Sequence, residues 1–188
     1  MRNDVEGKGP PCSTQEPLQW QDAVLESLRR GGPVCQHAAA YIVRNGVHIR
    51  FRRQRTGARW TLEGDIELNS EHFLPQHDPA DPRLLGAVVH EAAHLEQGLA
   101  VALSVEGEVE GWRAEFLARA ELNAPIEDAR WRAVADTPPS PTDHDLRKAR
   151  SKMVEMAGRR YLVWLLPLRA NRLTALVGQI AGRARRKG

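Results

Sequence analysis

Leu84-Leu85-Gly86-Ala87-Val88-Val89-His90-Glu91-Ala92-Ala93-His94-Leu95-Glu96-Gln97-Gly98 decides how the chain is read. Leu84, Leu85, Val88, Val89, Ala92 and Leu95 recur at helical spacing, so the segment predicts a helix with one buried stripe. Both ends are marked. Asp81-Pro82 offers a capping carboxylate and then a proline at the first helical position, and Gly98 is a stop. The expected helix runs from about Arg83 to Gln97. On it, His90 and His94 lie four apart, one above the other on the same face. Two imidazoles so placed can aim nitrogens at one zinc ion about 2.0–2.1 Å from each. Glu91 points about 100° away around the helix, outside the ligand set. From there it can take a proton from a water that the ion has acidified to a pKa of about 7 and return it to a leaving group. With 7 His and 15 Glu in 188 residues, chance gives roughly 0.02 matches to this pattern.

A catalytic zinc takes three protein ligands and keeps one position open for water. Gly98, four residues beyond His94, supplies none, and the next histidine is His144. A carboxylate must complete the set, and Glu106, Glu108, Glu110 and Glu115 all fall on the next expected helix, opened by Ser104. If the first helix stops at Gly98, it runs about 6 Å past His94, and an antiparallel return from Ser104 reaches that level near Glu108. If it continues through Leu103, the same geometry favours Glu115. Glu108 is the expected third ligand, with Glu115 and Glu110 as alternatives.

Outward from this pair of helices the pattern is mixed. Leu18, Val24, Leu25 and Leu28 predict an earlier helix ending at Gly31-Gly32. Asn45-Gly46 reads as a turn into the alternating run Val47-His48-Ile49-Arg50-Phe51-Arg52, and Trp60 to Leu68 reads as a second or bulged strand interrupted by Gly64. Downstream, Ile126 to Val134 is a short helical stretch, and Asp136 to Thr142 is a proline-rich loop. Thr142 with Asp145 resembles a capping box for a helix to Ala157, and Tyr161 to Ala184 is a last helical region broken at Pro167. The expectation is an α+β protein, mostly helical, with a small antiparallel sheet before the histidine helix. Residues 1–15 form a flexible arm, 16–136 the catalytic domain, and 137–188 a helical extension packed on it with a basic tip.

The formal charge of +3 hides an asymmetry: 5 basic against 13 acidic residues from Glu71 to Asp136, and 12 against 3 from Thr137 onward. An acidic middle suits a cation site, and a basic tail suits an acidic partner or docking onto that middle. No apolar run is long enough to span a bilayer, the first thirty residues carry no secretory pattern, and two cysteines make no disulfide framework, so a cytoplasmic protein is expected. Arg50, Arg52, Arg53, Arg55 and Arg59, with Arg183, Arg185, Arg186 and Lys187, support a different expectation: a binding module for nucleic acid or another acidic partner, with the histidine motif incidental. Tyr161 and His144 are candidate oxyanion donors, His72 and His77 lie in the loop before the histidine helix, and His37 and His48 are expected to be structural.

The arrangement resembles the gluzincins, zinc metallopeptidases with His-Glu-x-x-His on one helix and a ligand glutamate on the next. Glu108-Val109-Glu110-Gly111 is similar to the Glu-x-x-Ala block of several gluzincin families. The resemblance covers about Trp60 to Leu122. It implies a zincin-like fold, Zn2+ held by His90, His94 and Glu108, Glu91 as general base, Gly111 as the small residue packed on the metal helix, and a peptide or protein substrate aligned along an edge strand. It departs at Trp112, where many gluzincins carry an aspartate that orients a histidine. A metal-binding but inactive zincin-like protein remains the second alternative.

Overall fold

The computed structural model describes residues 17–158 and 162–170. The amino-terminal arm, Tyr161, the continuation of the last expected helix beyond Ala170 and the basic tip lie outside the described residues.

Two helices, α1 (Pro17–Arg30) and α2 (Pro33–Asn45), open the fold. α1 buries Trp20, Val24, Leu25 and Leu28. α2 was not expected, yet Cys35, Ala38, Ala39 and Ile42 recur at helical spacing and are its buried face. The N–H groups of Val34 and Cys35 donate to the Glu121 carboxylate at 3.0 and 3.1 Å, so the start of α2 is capped from a distant part of the chain. Asn45-Gly46 closes this helix instead of turning a hairpin: the Gly46 N–H returns to the carbonyls of Ile42 and Val43.

Strands β1 (Ile49–Arg52), β2 (Ala58–Trp60) and β3 (Ile66–Asn69) form one sheet in the order β1-β3-β2. The α+β class holds, but the sheet is mixed: β1 runs parallel to β3, with Ile49 opposite Ile66, and only β2 is antiparallel. The reason lies in residues 53–57, which cross the end of β3 to its far side. The buried Asn69 holds that crossing, donating from Nδ2 to the Gln54 carbonyl at 3.0 Å, while Gln54 Nε2 donates to the Glu67 carbonyl at 2.9 Å. Glu67, in the middle of β3, is gripped from both neighbouring strands, by Arg52 at 3.2 Å and Arg59 at 2.6 Å. Burial alone would raise its pKa, but the two guanidiniums outweigh burial and hold it below the usual carboxylate range.

α3 (Pro82–Gln97) follows, with the Asp81 side chain accepting from the Arg83 N–H at 2.8 Å. At Gly98 the chain turns into the single-turn α4 (Leu99–Ala102), and Ser104 caps α5 (Val105–Glu121) by accepting from the Gly107 N–H at 3.0 Å. α6 (Ala129–Ala135) and α7 (Asp143–Ala157) complete the helices among the described residues, and the capping box of Thr142 and Asp145 is present. The 3-10 turn Val163–Leu165 leads to Pro167 and Leu168, whose carbonyls accept the N–H groups of Val105 and Glu106 at the start of α5. No described helix is long and apolar enough to cross a membrane.

Two apolar clusters result. The larger joins α1, α2, the sheet and α3, with Ala118 of α5; the smaller joins Val105 and Val109 of α5 to Val134, Leu146, Ala149, Met153, Val163 and Leu168. α3 and α5 pack along each other where the two clusters meet, and the candidate site sits on that line.

Candidate metal centre

His90 and His94 are both buried, and their rings face α5. Their Nε2 atoms are 3.1 Å apart. Glu108 reaches the same point, with Oε1 3.7 Å from His94 Nε2 and Oε2 3.9 Å from His90 Nε2. One ligand atom from each residue thus lies within 4.8 Å of the others, a group that could hold a metal ion. Tetrahedral ligands about 2.0–2.1 Å from zinc sit roughly 3.3 Å from one another, so the imidazole pair already has the spacing and Glu108 needs only a small inward shift. Space for the ion comes from Gly111: a Cβ there would stand 2.9 Å from His90 Nε2 and 3.1 Å from His94 Nε2.

The other ring nitrogens are also engaged. His94 Nδ1 lies 3.2 Å from Gln97 Oε1, and Gln97 Nε2 donates to the Gly107 carbonyl at 3.3 Å and to Glu110 at 3.1 Å. A donating Nδ1–H leaves Nε2 as a lone-pair ligand. His90 Nδ1 is 3.3 Å from Glu115 Oε2, close enough for an ion pair but poorly aligned as a hydrogen bond. The Trp112 ring meets His90 edge-on at 5.0 Å and stacks on Trp131 at 3.8 Å, so an indole stands where an orienting aspartate would be. The four glutamates weighed as ligands therefore have separate placements. Glu108 faces the imidazoles, Glu115 backs His90, Glu110 meets Gln97, and Glu106 pairs with Arg169 at 2.6 Å. Gln97 had no distinguishing mark in the sequence beyond its place one turn after His94.

Burial opposes charge on His90, but Glu115, Glu91 and Glu108 outweigh it and bring its pKa to about 9. Burial, with the neighbouring His90 cation, pushes His94 down to about 3. The imidazole pair therefore favours a single positive charge, carried by His90, at the point where a cation would go. Burial raises Glu91 to about 7, against the His90 charge and the Trp60 N–H that the carboxylate accepts. Because a metal ligand must be deprotonated, uptake of zinc near pH 7 should release at least one proton per ion. Apparent affinity should then rise about tenfold per pH unit up to the His90 pKa and flatten above it. Zinc titration into weakly buffered protein with a pH indicator measures this, and proton-free uptake would contradict it.

The site opens into a cleft of about 600 Å³ bordered by Trp60, Leu103 and Leu162 together with the arginines of the sheet. A second cleft of about 370 Å³ lies on the Glu115 side of His90 and shares His90 and Glu91 with the first. β2, paired only with β3, runs beside α3 along both. The strand nearest α3 in sequence, β3, is central, so β2 is the edge at the cleft. His72, His77 and His144 border neither cleft, and His37 is an exposed partner of Glu96 at 2.7 Å, while His48 is exposed. Comparison with protein-family models, curated proteins and solved structures finds no match to this chain, so the gluzincin resemblance rests on His90, Glu91, His94 and Glu108 themselves.

Proposed function

We propose that this protein is a zinc-dependent hydrolase of the gluzincin type, acting on peptide bonds. The observation that carries the reading is the convergence of His90, His94 and Glu108 at an open cleft, with the buried Glu91 beside them. Two imidazoles and one carboxylate, without thiolate, are a donor set for catalytic rather than structural zinc. When bound, such an ion polarises the scissile carbonyl and acidifies water. Glu91 accepts the proton of the attacking water and delivers it to the leaving nitrogen. The backbone of Trp60, beside Glu91, favours the ionised form of its carboxyl. Gln97 positions the His94 imidazole and Glu115 lies against that of His90, and an extended peptide would run along β2 in the cleft.

The test is elemental analysis for one zinc per chain, joined to cleavage of a peptide library with and without chelator. Full loading with no chelator-sensitive cleavage would leave a metal-binding protein without peptidase activity. Roles of the glutamates separate by substitution. Glu108→Gln should abolish stoichiometric zinc, whereas Glu115→Gln should weaken affinity by about 10–100-fold and leave the site loadable. Competition against a zinc chelator reads both, and the opposite order would make Glu115 the ligand.

A further inference from the structure

The arginines of the sheet are not equivalent. Arg50 is paired with Asp65 at 3.0 Å, Arg53 with Glu71 at 2.7 Å, and Arg52 and Arg59 share Glu67. Arg55 has no carboxylate partner among the described residues, and it borders both clefts beside His90 and Glu91. In the smaller cleft it is joined by Arg83, at the start of α3, which is likewise exposed and without a carboxylate partner among the described residues. Arg119 enters from α5, donating Nε to the Ala124 carbonyl at 3.2 Å. Three elements thus bring guanidiniums that make no salt bridge among the described residues to one concavity of about 370 Å³, whose remaining wall includes Phe73, Trp131, Glu91 and Glu115.

From this juxtaposition we infer that the smaller cleft is a specificity subsite for a carboxylate of the substrate, held by Arg55 and Arg83. The inference rests on the peptidase reading in taking the bound molecule to be a peptide. The guanidinium fork matches a carboxylate in two-point geometry, and a concave site concentrates the field of unmatched charge. A cavity of this size takes one side chain or chain end, not a strand of nucleic acid. The other arginines of the sheet, Arg50, Arg52, Arg53 and Arg59, are already paired with Asp65, Glu67 and Glu71. The carboxylate can belong to an acidic side chain or to a peptide carboxyl terminus.

The experiment uses the full-length, zinc-loaded Glu91→Gln protein, so that binding is read without turnover. Fluorescently labelled peptides differing only as Glu against Gln, and as free acid against amide at the carboxyl terminus, are titrated by anisotropy at physiological salt. The expected result is about tenfold tighter binding of one carboxylate-bearing member over its neutral partner, and which pair shows it identifies the source. Adding Arg55→Gln or Arg83→Gln should reduce that ratio, and the pair of changes should bring it near unity. Thermal unfolding should be unaltered, since both side chains are exposed. Equal binding of charged and neutral peptides would overturn the inference, as would displacement of the acidic peptide by a lower concentration of single-stranded oligonucleotide. Carboxylate preference without cleavage by the unmodified protein would sink the peptidase reading alone. Cleavage without carboxylate preference would sink the subsite alone.

Discussion

Glu91→Gln should lower kcat/KM against a cleaved peptide by about 10²–10⁴-fold, the usual contribution of a positioned acid–base group, while zinc content should stay at one per chain. The amide keeps the shape of the side chain but can neither accept the water proton nor return one to the leaving nitrogen. Structure makes the comparison clean. Glu91 is buried between α3 and β2 and is not one of the three groups facing the common point, so its replacement removes no ligand. Replacement also removes a buried carboxyl whose ionisation is opposed by its surroundings, so the variant should be no less stable than the parent near neutral pH. The sign follows from linkage: burial raises the Glu91 pKa to about 7, above its value in the unfolded chain. Ionisation therefore costs stability progressively as pH climbs from the ordinary glutamate range through that value. Undiminished turnover in Glu91→Gln would remove this residue from the mechanism; loss of zinc would place it among the ligands.

Gly107→Ala is the second large effect, and it is a structural one. A Cβ at this position would lie 2.1 Å from the Val101 carbonyl oxygen and 2.8 Å from the carbonyl carbon, and 3.0 Å from Gln97 Oε1. Backbone cannot step aside as a side-chain tip can, so α5 must move away from α4. Overpacking of this kind costs about 3 kcal/mol, offset by up to about 1 kcal/mol from the better helix propensity of alanine, leaving roughly 2 kcal/mol of destabilisation. The displaced segment begins one residue before Glu108 and includes the carbonyl that receives Gln97. Zinc affinity should therefore fall together with the denaturation midpoint. Gly57→Ala is the control: a Cβ there meets nothing within 4 Å. Urea unfolding with parallel zinc competition reads both quantities, and an unchanged midpoint for Gly107→Ala would show that α4 and α5 are not held as close as described.

Much of this was legible in the residues, and the reasons are specific. The ends of α3, α5 and α7 carry side-chain caps and, at α3, a proline and a terminating glycine, signals that act locally and need no knowledge of the rest of the chain. Because those boundaries were readable, the climb from Ser104 to the level of the histidines could be counted, and it leads to Glu108. α2 escaped because its buried face is built of Cys35, Ala38 and Ala39, which carry little hydrophobic contrast against neighbouring polar residues. Its cap is equally hidden, since Glu121 is far away in sequence. The parallel pairing of β1 with β3 is a non-local choice fixed by Asn69 holding Gln54, and alternation along a strand says nothing about its neighbour. Spacing marked Glu115 as an alternative ligand and Trp112 as a departure from the gluzincin pattern, and it did not mark Gln97 at all. Only the packing of α3 against α5 places them beside the imidazoles.

α5 contributes Ala118 to one apolar cluster and Val105 and Val109 to the other. The two histidines therefore ride on a helix anchored in the first cluster, whereas the stretch bearing Glu108 is seated in the second, under the strap of Pro167 and Leu168. A cation gripped by all three would add a clasp across this seam, on top of the packing of α3 against α5. Damage deep in the carboxyl-terminal half, such as a hole at Met153, would then be felt at the clasp as a slackened third finger while both rings stayed in place.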